Sequence, residues 1–167
     1  DFVANSDGSF ILLGNERVSG ELGLGQQIYL VKVDAQGMVV KKESFGLTGD
    51  DFAKDIELTP DGNIIIAAET QKGPNDRDVY VITVAQDLSL LNSIQIGLKT
   101  IAGLESDEEV NSISIIQSGY IVAGSTTAVE TDNASNLKDA LHIRLNNSLV
   151  PLDPEAGRWN NTSGFND

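Results

Sequence analysis

The run Asp61-Gly62-Asn63-Ile64-Ile65-Ile66-Ala67-Ala68-Glu69 decides how the rest of the chain is read, because the chain carries it three times. One copy is Asp7-Gly8-Ser9-Phe10-Ile11-Leu12-Leu13-Gly14-Asn15, and the other is Ser118-Gly119-Tyr120-Ile121-Val122-Ala123-Gly124-Ser125. In each, turn residues lead into a short apolar run that a small or polar residue ends. A run that short and that apolar reads as a strand buried on both faces rather than as a helix.

Registering the copies on the turn aligns what flanks them. Upstream, the alternating Ile56 and Leu58 fall over Ile113 and Ile115, with one residue lost from the third turn. Downstream, Ile28-Tyr29-Leu30-Val31-Lys32-Val33 matches Val79-Tyr80-Val81-Ile82-Thr83-Val84 and Ala140-Leu141-His142-Ile143-Arg144-Leu145. A last strand is predicted at about 38–45, 88–96 and 149–152, and no segment carries a capped helical period. The chain therefore reads as all-β, in units of roughly 1–50, 51–107 and 108–167. Each unit is a four-stranded antiparallel meander, with strands A to D in order. One meander cannot cover both its own faces, so like neighbours must stack on it. Four strands in about 40–50 residues is the pattern of a β-propeller blade. A β-sandwich also uses short, evenly spaced strands, but the fixed period and matched turns favour the propeller.

The units resemble the β-propeller repeats of bacterial cell-surface and secreted proteins. The residues that carry the likeness are Gly119–Thr126 (GYIVAGST), Ile28–Gly37 (IYLVKVDAQG) and Ser44–Asp51 (SFGLTGDD). The likeness spans nearly the whole chain. It departs at the family's strand-D Trp, replaced in the first unit by Lys41, and in the third unit's strand D, interrupted by Pro151 and Pro154. The resemblance implies a location outside the cytoplasm, with a signal or anchor not contained in this sequence, and a non-enzymatic binding or scaffold module. Propellers close with about four to eight blades. Three units are then an incomplete propeller: a slice of a larger one, or half of a ring completed by oligomerisation.

Composition narrows the partners. The chain has 25 acidic and 11 basic residues, a net charge of −14, which disfavours nucleic acid and anionic membranes. There is no Cys and a single His, so disulfides and thiolate metal sites are excluded and a zinc site lacks ligands. No apolar run reaches the roughly 18 residues of a membrane-spanning helix.

The A–B and C–D turns are short and share one end of each meander. The B–C loops (15–27, 70–78, 127–139) and the D–A links (46–51, 97–107, 157–167) are long and share the other. Recognition of protein or glycan is expected at that second end. Trp159, flanked by Arg158 and Asn160, is a stacking platform for a sugar or peptide in one reading. In the other it packs between blades at the end of strand D, where Phe45 and Ile96 stand. Arg77 and Asp78 are further candidates for ligand binding. No cofactor is expected; Ca2+ is the cation the acids could take, at Asp107, Glu108 and Glu109, or at Asp50-Asp51 or Asn75-Asp76-Asp78, and none of these stretches has the spaced acidic loop with a central Gly. Two alternatives stay open: a carboxylate-dependent glycoside hydrolase or lyase, and a purely structural subunit of a larger surface assembly.

Overall fold

The computed structural model describes residues 1–18, 25–74, 76–99, 105–127, 138–152 and 157–159. Every helix or strand among them is a strand: β1 (Phe2–Ala4), β2 (Phe10–Arg17), β3 (Gln26–Val33), β4 (Val39–Phe45), β5 (Asp50–Leu58), β6 (Ile64–Gly73), β7 (Asp76–Val84), β8 (Leu90–Ile96), β9 (Glu108–Ile116), β10 (Gly119–Thr126), β11 (Asp139–Leu145) and β12 (Gly157–Trp159). They pair in chain order into three antiparallel sheets: β1-β2-β3-β4 (sheet 1), β5-β6-β7-β8 (sheet 2) and β9-β10-β11-β12 (sheet 3). The all-β reading holds.

The middle sheet explains the uninterrupted apolar runs. Side chains alternate faces along a strand. In sheet 2 the even-numbered Ile64, Ile66, Tyr80 and Ile82 pack against Ile11, Leu13, Ile28 and Leu30 of sheet 1. The odd-numbered Ile65, Ala67, Val79 and Val81 pack against Val122, Leu141, Ile143 and Leu145 of sheet 3. Each fully buried aliphatic side chain contributes about 1.5–3 kcal/mol. Both faces of β6 and β7 must therefore be apolar, which is why neither strand alternates.

Two boundaries differ from the sequence expectation. The supposed long loop 70–78 is largely strand: β6 runs to Gly73, β7 starts at Asp76, and Thr70 pairs with Asp78 and Gln71 with Arg77. The polar residues here extend the hairpin past the end of the core. In the third unit, the strand expected at 149–152 is reduced to a single bridge, Leu145 to Pro151. The fourth strand is β12, inside the stretch read as a D–A link; Pro151 has no N–H to carry a ladder onward.

The C–D turns show how one backbone is met by different residues. Gly37, Leu88 and Leu149 occupy the same position, each with positive φ (82°, 62° and 59°). Leucine there costs roughly 1–2 kcal/mol of backbone strain. Leu88 and Leu149 are 1% and 2% exposed and plug the first and second intersheet cores, so burial outweighs the strain. Leu88→Ala is accordingly expected to lower stability by about 2–5 kcal/mol in urea unfolding. Leu88→Gly, relieved of the strain, should lose about 1 kcal/mol less than that. A glycine variant as stable as the wild type would show that the turn, not the plug, dominates.

Candidate functional site

The end of the stack that carries the B–C and D–A connections holds a network of charge. Arg77, at the start of β7, lies on the extension of the β6–β7 hairpin, which carries it over sheet 3. Its guanidinium grips Asp107 with two bonds, Nε to Oδ1 at 2.7 Å and Nη2 to Oδ2 at 2.6 Å. Nη2 also donates to Glu109 at 3.0 Å, and Nη1 to Glu69 at 3.4 Å. Lys138 reaches the other oxygen of Glu109 at 2.5 Å, and Lys54 lies 2.9 Å from Glu69. Three acids thus meet three bases. The bond to Asp107 pushes Arg77 further up from its ordinary value, and Lys138, then Arg77, holds the Glu109 carboxyl below its own.

Glu69 ties this network to the core. It is 1% exposed, and its Oε1 accepts the backbone N–H of Val110 at 2.8 Å. Asn15 does the same one sheet earlier, accepting the N–H of Ala53 at 2.8 Å. Both N–H groups adjoin β-bulges, at Ala53–Asp55 and Val110–Ser112. A bulge breaks the ladder locally, and a polar side chain from the preceding sheet takes up the donor.

A second feature repeats at the start of strand A. Asp51 and Glu108 are both fully buried. Asp51 Oδ2 accepts Leu47 N–H at 2.8 Å and the Gln27 amide at 3.1 Å. Glu108 accepts Leu98 N–H at 3.1 Å and the hydroxyls of Ser106 (2.5 Å) and Thr126 (2.9 Å). Burial pushes both carboxyls up from their ordinary values. Asp78, the counterpart of Gln27, binds Lys72 and Gln95, each at 2.6 Å, through Oδ2. Its Oδ1 is buried without a hydrogen-bond partner among the described residues. A Cβ on Gly97 would stand 2.4 Å from that oxygen, and one on Gly46 would stand 2.0 Å from the Gln27 amide oxygen. Glycine is needed at both places because the side chain passes over the backbone.

These contacts place the candidate residues. Arg77 and Asp78 are brought to one end of the hairpin, but each is committed to protein partners. Asp107, Glu108 and Glu109 do not converge: 107 and 109 turn toward Arg77, and 108 turns into the core, as alternation at a strand start dictates. Among the described residues no group of three or more His, Cys, Asp or Glu is placed to hold a metal ion. β12 sets Trp159 opposite Ala140 and Arg158 opposite Leu141. This is the register of Ile96 opposite Val79 and Phe45 opposite Ile28, so the backbone gives Trp159 the strand-D position. Its side chain, that of Arg158, and Asn160 altogether lie outside the described residues. Asp51, one of the acidic pair Asp50-Asp51 in which the sequence offers Ca2+ oxygens, is instead buried against Leu47 and Gln27, Asn75 lies outside the described residues, and Gln27 and Glu69 carry no sequence pattern of their own. The repeated pairs Gly46-Leu47 and Gly97-Leu98 were the available signal.

Two expectations follow. Glu69→Ala takes the partner from Lys54 and from the Val110 N–H, and one of three acids from Arg77, and should cost about 3 kcal/mol; Glu69→Asn, which reproduces Asn15, should lose clearly less in the same denaturant titration. For Glu108, the folded-state value lies above the ordinary 4.5. Its contribution is therefore complete in acid and is lost as pH rises through the folded value. Glu108→Gln should match the wild type near pH 4 and exceed it at pH 7. An equal loss at both pH values would assign Glu108 a geometric role instead.

Compared with models of protein families and with curated proteins, the chain matches none.

Proposed function

We propose that this chain is a segment of a β-propeller that works outside the cytoplasm as a non-enzymatic binding or scaffold module. Its recognition surface is the end where the B–C and D–A connections gather. The observation that carries the reading is the recurrence of one seam. Sheet 1 meets sheet 2, and sheet 2 meets sheet 3, through the same positions: an aliphatic face, a bulge in strand A, a capping side chain at 15 or 69, and a buried acid at 51 or 108. A step repeated with the same contacts is the signature of a repeat array, in which each unit depends on its neighbours.

Asymmetry between the two ends supports the rest. One end is closed by tight turns such as Asp34–Met38 and Ala85–Ser89, with little surface to vary. The other carries three longer connections, 18–25, 97–107 and 127–138, on a rigid base, the usual arrangement for recognition. A glycoside-cleaving site needs two carboxyls facing a shared gap. Asp78, Asp107, Glu108 and Glu109 at this end are instead engaged by lysine, arginine or hydroxyl groups, which supports binding over hydrolysis. The extracytoplasmic location rests on the resemblance of the repeats.

The test is binding to immobilised glycan and peptide panels, with product release assayed in parallel. A ligand should be retained without turnover. Arg17→Ala and Lys99→Ala, at the long-connection end, should weaken its retention by about tenfold or more, as loss of an interface contact does. Gln36→Ala, at the opposite end, should leave it unchanged. Turnover of any panel glycan, or binding lost only through Gln36, would refute the assignment.

A further inference from the structure

The flank of the stack formed by the strand-D edges carries an aliphatic strip. Apart from Phe2 and Leu12, every large apolar side chain exposed among the described residues stands on it: Met38, Val39 and Val40 in sheet 1, Leu90 and Leu91 in sheet 2, and Val150 and Leu152 beside sheet 3, each 40–67% exposed. The positions are equivalent. Val39, Leu90 and Pro151 lie opposite the last residue of strand C, at Val33, Val84 and Leu145, and Val40, Leu91 and Leu152 follow them. β4 and β8 are exposed along their first four residues. The third and fourth are polar, Lys41-Lys42 and Asn92-Ser93, as exposure on both faces favours; the first two are aliphatic in spite of it. Isolated apolar surface residues need no explanation, but a contiguous apolar strip does.

The three groups adjoin. Lys41 Nζ donates to Asp87 O at 2.6 Å, and Asn92 Nδ2 to Ser148 O at 2.9 Å, so strand D of one sheet is tied to the C–D turn of the next. The strip therefore crosses both seams instead of breaking at them. Val40 and Leu91 are the residues that the strand-D bulges leave without a strand-C partner. A bulge re-aims the side chain and blunts the edge against a foreign strand, so the occupant of the strip meets side chains rather than joining the ladder.

Area and charge select that occupant. Half-exposed aliphatic side chains in this number present on the order of 500 Å² of apolar surface, near the top of the range for the largest patch on a monomer. That is about the apolar share of the roughly 800 Å² that each partner buries in a stable dimer. The chain has 25 acidic residues and a net charge of −14, so two copies repel each other. Yet 38–42, 88–92 and 148–152 contain no Asp or Glu, and their only charges are Lys41 and Lys42. Here a second copy approaches at the least electrostatic cost.

We propose that the strip is the contact between two copies of this chain related by a two-fold axis. Sheet 2 lies against sheet 2, and the sheet 1 group of each copy lies against the sheet 3 group of the other. Such a contact uses the same patch on both partners and closes at two. It lies on the flank of the stack and uses neither outer face, so it holds with any number of further sheets beside sheets 1 and 3. It rests on the three-sheet stack and not on the propeller reading.

Sedimentation equilibrium of the whole chain tests this, with hydrogen exchange of β6 and β7 as the check on folding. Expected is twice the mass of one chain. Leu91→Lys, next to the axis, should weaken the dimer by about tenfold or more with β6 and β7 still protected. Val40→Lys, at a similarly exposed position, takes its place if that variant fails to fold. Phe2→Lys, on the outer face of sheet 1, should leave the mass unchanged. An equimolar mixture of Leu91→Lys and Leu91→Glu should associate more tightly than either alone, because position 91 of one copy faces position 91 of the other. A wild-type monomer with protected β6 and β7 overturns the second copy as occupant and leaves the strip to a different partner. Association that Leu91→Lys leaves intact, whether or not Phe2→Lys abolishes it, places the contact elsewhere and also overturns the proposal. A mixture no tighter than its components overturns the two-fold pairing.

Discussion

Everything in this molecule depends on sheet 2 having no face of its own to show to water. Ile64 through Thr70 are buried without a break, so β6 has no solvated register to fall back on. A one-residue slip of β6 exchanges Ile64 and Ile66 for Ile65 and Ala67, moving aliphatic bulk from one seam to the other. The two seams differ in what they accept: the first places Tyr80 and Leu88 against leucine and isoleucine, the second places valine and alanine against Tyr120 and Leu141. Register is therefore fixed by the mismatch of two neighbours rather than by the usual contrast between core and solvent. It also means that sheet 2 cannot be stable alone, since a four-stranded meander with two apolar faces has nothing to hold it in water.

The seams are apolar in the middle and polar at their ends, and the ends show how the stack manages its irregularities. Strand A carries a bulge at equivalent places in sheets 2 and 3. Strand D carries another near the C–D turn in sheets 1 and 2, between Val39 and Lys41 and between Leu90 and Asn92. Strand-D bulges distort an edge that would otherwise be open to pairing with a foreign strand. Strand-A bulges free N–H groups that the preceding sheet captures. The first kind discourages unwanted contact, and the second turns a defect in one sheet into a bond between two.

Much of this was legible because the repeat imposes it. The strand order, the units and the two-sided burial of β6 and β7 follow from apolar runs that do not alternate and turns that recur at a fixed spacing. The candidate site was less legible. Arg77 and Asp78 stood out as charges in a loop, yet the loop is a hairpin whose last pairs are polar, and polarity alone does not distinguish a paired strand from a connector. Asp107, Glu108 and Glu109 looked like one acidic cluster, because sequence adjacency hides the alternation that sends the middle residue into the core. Leu88 and Leu149 were read as strand beginnings, although their backbone is that of a glycine, because the gain from filling the seam is invisible without the neighbouring sheet. The third unit resisted most, since Pro151 cuts the pairing that should have followed β11 and leaves β12 to be reached through residues with no repeat partner.

The excess of acid has a structural explanation that does not require a bound cation. Tight turns and bulges leave backbone N–H groups outside the regular ladders, and an ionised carboxylate is a pure acceptor with two oxygens to offer. Asp7 takes the N–H of Ser9, Asp34 those of Gln36 and Met38, and Asp87 that of Ser89 at the turns. Asp50 takes Gln26, Asp55 takes Ile113 and Glu69 takes Val110, between strands or between sheets. Bonds to an ionised acceptor are stronger than neutral ones, so each stray donor is better served by Asp or Glu than by Ser or Asn. An all-β stack built from irregular edges thus draws acidic residues toward its unpaired donors. Lysine has the converse task at two turn carbonyls, Lys32 donating to Gln86 O and Lys41 to Asp87 O, while Arg77, Lys54, Lys72 and Lys138 stand where carboxylates crowd.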